Sequence, residues 1–494
     1  MQEFFGTINS WVWSPALVYL CLGVGLFFSI ITRFVQVRQF GEMIRLLTGG
    51  RESEQGISTF QALAVSLSGR VGTGNIAGVA AAIGFGGPGA VFWMWVVAFL
   101  GASTAYVEST LGQIYKEVDD GQYRGGPAYY FEKALGQKWY AWLFAFTTII
   151  AIGFLVPGVQ ANAISNGFDL AVGGGKLIEL PFGEVNLAKV SMGLVVTAFL
   201  GFVIFGGVRR IAHFTQIVVP FMAVAYVISA LVIIFMNVGE VPRIFGMIIN
   251  DAFTPMAGMG AAIGWGVKRG VYSNEAGQGS GPHAASAAEV DHPAQQGLVQ
   301  AFSVYVDTLL VCSATAFMIL ITGSYQVTGL EAEVSGGILA ASVDPNSPAF
   351  TQLAVDSVYK GVGGPFVAIA LFFFAFTTLL AYYYIAETNV AYIKRTWNVP
   401  GLMLILKFCL LGSVFYGTIR AAGLAWTLGD IGVGLMAWLN IVGILLIFIM
   451  GRPAIKALRD YERQQKAGVE EYTFDPEALG IRNADFWVER KNSN

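Results

Sequence analysis

The sequence predicts an all-α polytopic membrane protein whose helices are interrupted within the bilayer. Three observations predict it. Hydrophobic residues make up 55% of the 494, and mean hydropathy is +0.61. Charged residues are only 12%, against about 25% in a typical soluble domain. Glycine, with 61 residues, is about twice as frequent as the usual ~7%. A soluble globule of this size needs more polar surface than this composition supplies, and disorder needs the opposite composition. Glycine-rich apolar chains suit helices that pack closely or break at membrane depth.

The other counts exclude classes. A net charge of -3 gives no nucleic-acid signal. Cys21, Cys312 and Cys409 lie in apolar stretches with no disulfide framework. His213, His283 and His292 show no metal-ligand spacing. No P-loop appears, which argues against an ATP-driven pump. No cofactor motif or catalytic cluster appears either, so an enzyme is not expected. A channel filter motif is also missing.

A bilayer core needs about 20 mostly apolar residues per helix. On that basis eleven spans are expected, at 12–32, 58–83, 90–116, 138–162, 190–208, 213–237, 250–274, 296–323, 363–388, 401–418 and 425–450. The first apolar run is read as a membrane helix, not a cleaved signal peptide. With the N-terminus outside, 23 Lys and Arg fall on the cytoplasmic side and 5 outside, with Arg70 inside a span. This asymmetry orients the chain N-out and C-in. Residues 1–451 are expected to form one transmembrane domain, and 452–494 a polar cytoplasmic tail, ordered in part at most. VRQFGEMIRLL, in the 33–57 connection, fits an amphipathic interfacial helix. The 324–362 loop is a candidate outer cover. Trp11, Trp13, Trp93 and Trp95 fit interfacial belts.

Two spans are atypical. Ser68 to Gly78 reads SGRVGTGNIAG, with four glycines, a charge and an amide in mid-membrane. Glycine costs about 1 kcal/mol in a helix relative to alanine, so continuous helix is not expected here. Unwound backbone offers N–H groups to a carboxylate and C=O groups to a cation. The blander alternative is close helix packing through small residues. The partner interruption is expected at Pro255, Ala257, Gly258 and Gly260 in the 250–274 span. Setting 12–32 aside as an extra helix leaves five spans in 58–237 and five in 250–450, each half opening on an interrupted segment. A second echo, Arg70-x4-Asn75-x-Ala77-Gly78 against Arg269-x4-Asn274-x-Ala276-Gly277, lies near a cytoplasmic end. That placement argues against equivalence. SNEAGQGS (273–280) is read as a structured inner loop or inner gate, with Glu275 bridging to Lys268 or Arg269.

GTGNIAGVA (72–80), GGPGAVFWMW (86–95), GGPAYY (125–130), VQANA (159–163) and SNEAGQGS (273–280) resemble the alanine or glycine:cation symporter family. The resemblance implies a LeuT-type five-plus-five inverted repeat with one extra N-terminal helix, in a bacterial inner membrane. It implies uptake of a small neutral amino acid, alanine or glycine, driven by Na⁺ or less often H⁺. No cofactor, no metal other than Na⁺ and no obligatory protein partner are implied. GTGNIAGVA aligns with GLGNFLRFP of the neurotransmitter:sodium group. By that analogy Thr73 and Gly74 face the substrate carboxylate, and Asn75 holds Na⁺ or braces the break. Thr377 and Thr378 match the hydroxyl pair of the common sodium site, the alternative being a back-bond to a helix carbonyl. Where better-known members carry a Thr and a WSYYGE-like run, this chain has Arg70 and Tyr382 to Glu387.

Ionisable groups inside spans are functional candidates with a partner to be named. Arg70 is expected to meet Glu108 or Asp307, as a gate or coupling pair or as a static buried bridge. Gln160 and Asn162 are substrate candidates; i,i+2 residues do not share a helix face, so one is expected to face the pocket and the other a neighbouring helix, with Gln160 preferred for the pocket. Gly258, Gly260 and Tyr382 complete the substrate set. Asp430 is a candidate for an outer gate. Glu387 and His283 are read as structural. The closest rival is a proton-coupled carrier of the same fold, with Glu108 or Asp307 titrating; a channel is more remote.

Overall fold

The computed structural model describes residues 2–47, 53–180, 183–254, 256, 258–331, 336–339, 342–397 and 399–493. Pro255 and Ala257 lie outside the described residues. Among those described, nine helical spans are long and apolar enough to cross a membrane.

The chain opens on α1 (Gln2–Val12) and α2 (Pro15–Ile31), which together form one such span. The amphipathic α3 (Phe40–Leu47) buries Met43 and Leu46 and exposes Phe40 and Ile44. A capping box of Ser58 and Gln61 starts α4 (Thr59–Arg70). After a gap come a π-helical turn (Gly74–Gly78) and α5 (Val79–Gly86). The long α6 (Gly89–Ile114) follows, its first N–H fastened by Asp251 Oδ2 at 2.6 Å. A two-stranded antiparallel hairpin, β1 (Glu117–Asp119) and β2 (Gln122–Arg124), leads to α7 (Pro127–Leu135). Next come α8 (Lys138–Ile150) and α9 (Val156–Ala171), joined through a π segment just before Pro157. A second hairpin, β3 (Leu177–Leu180) and β4 (Gly183–Asn186), precedes α10 (Leu187–Ile204) and α11 (Gly207–Met236).

The second half begins with α12 (Val241–Phe253) and α13 (Met259–Asn274). Residues 275–280 leave the helix, and α14 (Gly281–Ala287) resumes it. His292 and Gln295 cap α15 (Pro293–Val304), which runs through a π segment (Tyr305–Cys312) into α16 (Ser313–Ile321). The long loop holds α17 (Ala349–Val358); Thr328 N bonds Gly84 O, so the loop lies over the end of α5. The last spans are α18 (Gly363–Lys394), α19 (Leu402–Ile419) and α20 (Ala422–Met450).

The tail differs from the expectation of partial order. It forms α21 (Pro453–Lys466) and α22 (Asp485–Ser493), both packed onto the transmembrane body. Its polarity is used in contacts with distant parts of the sequence. Glu462 meets Arg38 at 2.6 Å and Arg33 at 3.5 Å, and Tyr461 bonds Glu42. Trp487 is buried and donates to Gln113 O, while Arg490 meets Glu289 at 2.7 Å.

Candidate functional site

The first interruption lies where glycine and polar content place it. Helix α4 ends at Arg70; Val71 and Gly72 leave the helix, and it resumes at Thr73 and the π turn. Asn75 braces this gap, its Oδ1 accepting from Gly72 N at 2.8 Å. Gln160 Oε1 accepts from Thr73 N at 3.0 Å, so α9 faces the gap through Gln160. Thr73 Oγ1 is buried and makes no hydrogen bond among the described residues.

The second interruption is not at Gly258 and Gly260. Gly258 is the N-cap of α13 at φ 90°, and both glycines are exposed with open space around them. Some sixteen residues of helix separate them from the real break, about 24 Å at 1.5 Å per residue. The break is Glu275 to Ser280, within the segment expected to be an inner loop. Every residue from Ser273 to Ser280 is buried. Gly277 and Gly279 adopt φ +84° and +81°, which glycine tolerates. Their N–H groups go to Glu108, at 3.1 Å each, and Asn440 Nδ2 adds a third bond at 2.7 Å. Glu108 is thus the acceptor that lets this backbone unwind. The Arg-x4-Asn echo therefore does mark both breaks. Asn274 Oδ1 takes Ala276 N at 3.0 Å, as Asn75 serves the first gap.

The two breaks meet. A Cβ added to Gly74 would come within 3.2 Å of Ser273 Cα, and one on Gly69 within 3.3 Å of Glu275 Oε2. Asp307, in the π segment after α15, ties them: its Oδ1 accepts from Asn75 Nδ2 at 2.6 Å and Ser273 Oγ at 3.0 Å. Such π turns are frequent at functional sites. Tyr382 on α18 is buried near Gln160 and Glu275.

Arg70 does not pair with Asp307 or Glu108. Its Nη1 donates to Gln300 O at 3.0 Å and to Ser303 Oγ, and among the described residues it makes no ion pair. Asp307 and Glu108 are held by other donors, which leaves Arg70 in their field without contact. Thr377 back-bonds to Phe373 O and Phe374 O, at 2.9 and 3.0 Å. Thr378 instead spans the two halves, donating to Phe374 O at 2.9 Å and Ser68 O at 2.8 Å. Hydroxyl and carbonyl oxygens in this arrangement suit a hard cation. Asn162 turns away: its amide binds Gly417 O and Arg420 O, at 3.1 and 2.6 Å, holding the end of α19. Glu275 makes no salt bridge with Lys268 or Arg269, because both engage Asp430. His283 is satisfied by Ser280 O and Asn389 Nδ2.

Ser273, which donates to Asp307 beside the second break, is not among the substrate or ion candidates read from the sequence. Its signal is the echo itself, which places it just before the second break.

Two helices unwound at one level, with a cation-type oxygen cluster beside them, define a transporter of the broken-helix kind. The fold resembles that of MhsT in complex with L-phenylalanine, with a TM-score of 0.56 at 15% identity over 83% of this chain and 99% of that one. That likeness gives the LeuT-type fold. Residues 1–476 match the sodium:alanine symporter family, and the chain belongs to it. YrbD of Bacillus subtilis (strain 168) is 55% identical, covering 99% of this chain and 98% of its own. A sodium/proton-dependent alanine carrier protein of Bacillus sp. (strain PS3) is 49% identical over 90% of this chain and 97% of its own. The sodium/alanine symporter AgcS of Methanococcus maripaludis is 39% identical over 89% and 93%.

Proposed function

We propose that this chain is a secondary active symporter that takes up alanine or glycine with Na⁺ by alternating access. The observation that carries it is the meeting of the two breaks, the first of which holds a buried Thr73 hydroxyl with no hydrogen bond among the described residues. The names of the relatives point to the same substrate and ion. Thr73 and Gly74 receive the substrate carboxylate at the start of the resumed helix, where N–H groups favour negative charge. Gln160 and Tyr382 wall the same space. Thr377, Thr378 and Asn75 serve Na⁺ and the brace of the first break. Arg70, Glu108 and Asp307 set the charge balance around it. No cofactor or protein partner enters this cycle.

The chain sits, in this account, in a bacterial plasma membrane with its N-terminus outside and its tail inside. The Lys and Arg partition supports that orientation. The test is counterflow of labelled L-alanine in proteoliposomes with Na⁺ on both sides, competed by glycine, D-alanine and serine. Na⁺-dependent exchange that glycine or L-alanine suppresses is expected. Exchange that ignores Na⁺ and all four amino acids would overturn the proposal.

A further inference from the structure

Three buried carboxylates surround one buried guanidinium: Glu108, Glu275 and Asp307 act on Arg70. A single arginine balances one of them. Unbalanced buried charge is costly, so the cluster needs cations or protons to stand.

Hydrogen bonding tells the three acids apart. Among the described residues Glu108 takes N–H donors alone, from Gly277, Gly279 and Asn440. Such donors serve the carboxylate and have nothing to offer an acid proton. Asp307 takes the Asn75 amide with two hydroxyls, Ser273 and Thr308. Among the described residues Glu275 has one side-chain hydrogen-bond partner, the Ser280 hydroxyl, which donates at 2.8 Å, and the Tyr382 side chain lies close by. A hydroxyl can donate to a carboxylate or accept from a carboxylic acid, so the surroundings of Glu275 fit both forms.

Position supports the same group. Glu275 stands at φ 57° at the end of α13, on the second break. It lines a small cavity with Ser66, Gly69, Gly281, Ala284 and Tyr384, between α4, α14 and α18. The far ends of α4 and α14 are joined on the tail side, where Ile57 pairs with Ala287 and Glu289. The titratable and charged groups facing Glu275 are Arg70 from α4, Asp307 from the π segment, Tyr272 from α13, and Tyr382 and Tyr384 from α18. Glu108 on α6 grips the same break. His283 on α14 is turned to Asn389.

We propose that Glu275 is the proton-binding group of this carrier, protonated during substrate translocation and discharging toward the tail side. In the discharge the carboxyl O–H bond breaks, its electron pair stays on the carboxylate, and the proton passes to water. Arg70, whose Nε and Nη2 make no hydrogen bond among the described residues, supplies the counter-charge. The inference rests on the alanine-transport proposal above.

The test uses proteoliposomes of the full chain with a pH dye inside. Adding L-alanine with Na⁺ should acidify the lumen in the wild type. In Glu275→Gln the acidification should fall to background, while Na⁺-dependent alanine counterflow persists. Acidification at the wild-type proton-to-alanine ratio in the variant overturns the proposal. So does a wild type that moves alanine without protons, which leaves Na⁺:alanine symport standing; a wild type with no alanine counterflow brings down the transport proposal itself. If Glu275→Gln also loses counterflow, dicyclohexylcarbodiimide decides on the wild type, because it attacks protonated buried carboxyls. Labelling at Glu275 that fades as pH rises supports the assignment, and no labelling there at any pH overturns it.

Discussion

Arg269 grips Asp430 with two parallel bonds, Nη1 to Oδ1 at 2.8 Å and Nη2 to Oδ2 at 3.3 Å. Lys268 adds a third contact at 2.6 Å, and Trp265, Tyr272 and Trp426 surround the guanidinium. The cluster joins α13, the half-helix leading into the second break, to α20. Both partners are buried, so removing the acid leaves two cations uncompensated. Breaking a buried pair in this way costs about 3–5 kcal/mol. Asp430→Asn is expected to lower the unfolding temperature clearly and to suppress alanine uptake, as read by thermal unfolding in detergent and by proteoliposome flux. Normal stability and flux would remove the cluster from the account.

The two threonines differ in reach, and their variants should differ too. Thr378 touches Ser68 O on the opposite half, whereas Thr377 stays on its own helix among the hydrogen bonds to oxygen. Thr378→Ala should raise the Na⁺ concentration for half-maximal uptake about tenfold, the equivalent of ~1.4 kcal/mol. Thr377→Ala should shift it less. Unchanged Na⁺ dependence in Thr378→Ala would detach this hydroxyl from the cation.

Gly74 and Gly260 make a paired test of where the second break lies. A Cβ on Gly74 presses on Ser273 backbone, so Gly74→Ala should abolish alanine counterflow while the protein still folds. Gly260 is the second residue of α13 and has open space. Gly260→Ala should leave flux unchanged and raise stability by ~0.4–1 kcal/mol, through the restricted unfolded chain. Loss of flux in Gly260→Ala would restore that glycine to the site.

Tail docking should depend on pH through His292. Burial pushes its imidazole below the ordinary value of 6.5, and the bond to Asp460 offsets this only in part. Nδ1 already accepts from Ala294 N, so a proton there breaks the cap of α15. Because the docked form takes up the proton less readily than the undocked one, docking is complete above the ordinary value and weakens as pH falls through it. Burial opposes the charge of Asp460, but bonds from His292 and Gln464 hold its carboxyl below the usual range, which adds a further loss in strong acid. Hydrogen exchange of residues 453–466 should therefore speed up below about pH 6.5. Exchange that stays flat to pH 5 would remove His292 as the cause.

The first break was legible because Arg70 and Asn75 interrupt an apolar run, and no packing motif needs them. The second was misplaced for a physical reason. Gly258 and Gly260 lie in apolar sequence and look like a flaw in a span, whereas SNEAGQGS is polar and looks like a loop. It is buried because Glu108 and Asn440, from α6 and α20, satisfy its backbone. Such long-range partners leave no local trace, and α14 is too short to register as a span. The tail was obscured in the same way: Glu462 is matched by Arg33 and Arg38, more than 400 residues earlier. Helix spacing says only that Gln160 and Asn162 face different ways, and the structure turns Gln160 to the first break and Asn162 to the end of α19.

The most direct measurement is concentrative uptake of labelled L-alanine into proteoliposomes. It is run under an inward Na⁺ gradient, under a pH gradient acid outside, and with neither. Accumulation above equilibrium that requires inward Na⁺, and that an added acid-outside pH gradient enhances, is the predicted result. Absence of accumulation under either gradient, with the protein folded and correctly inserted, would contradict the account.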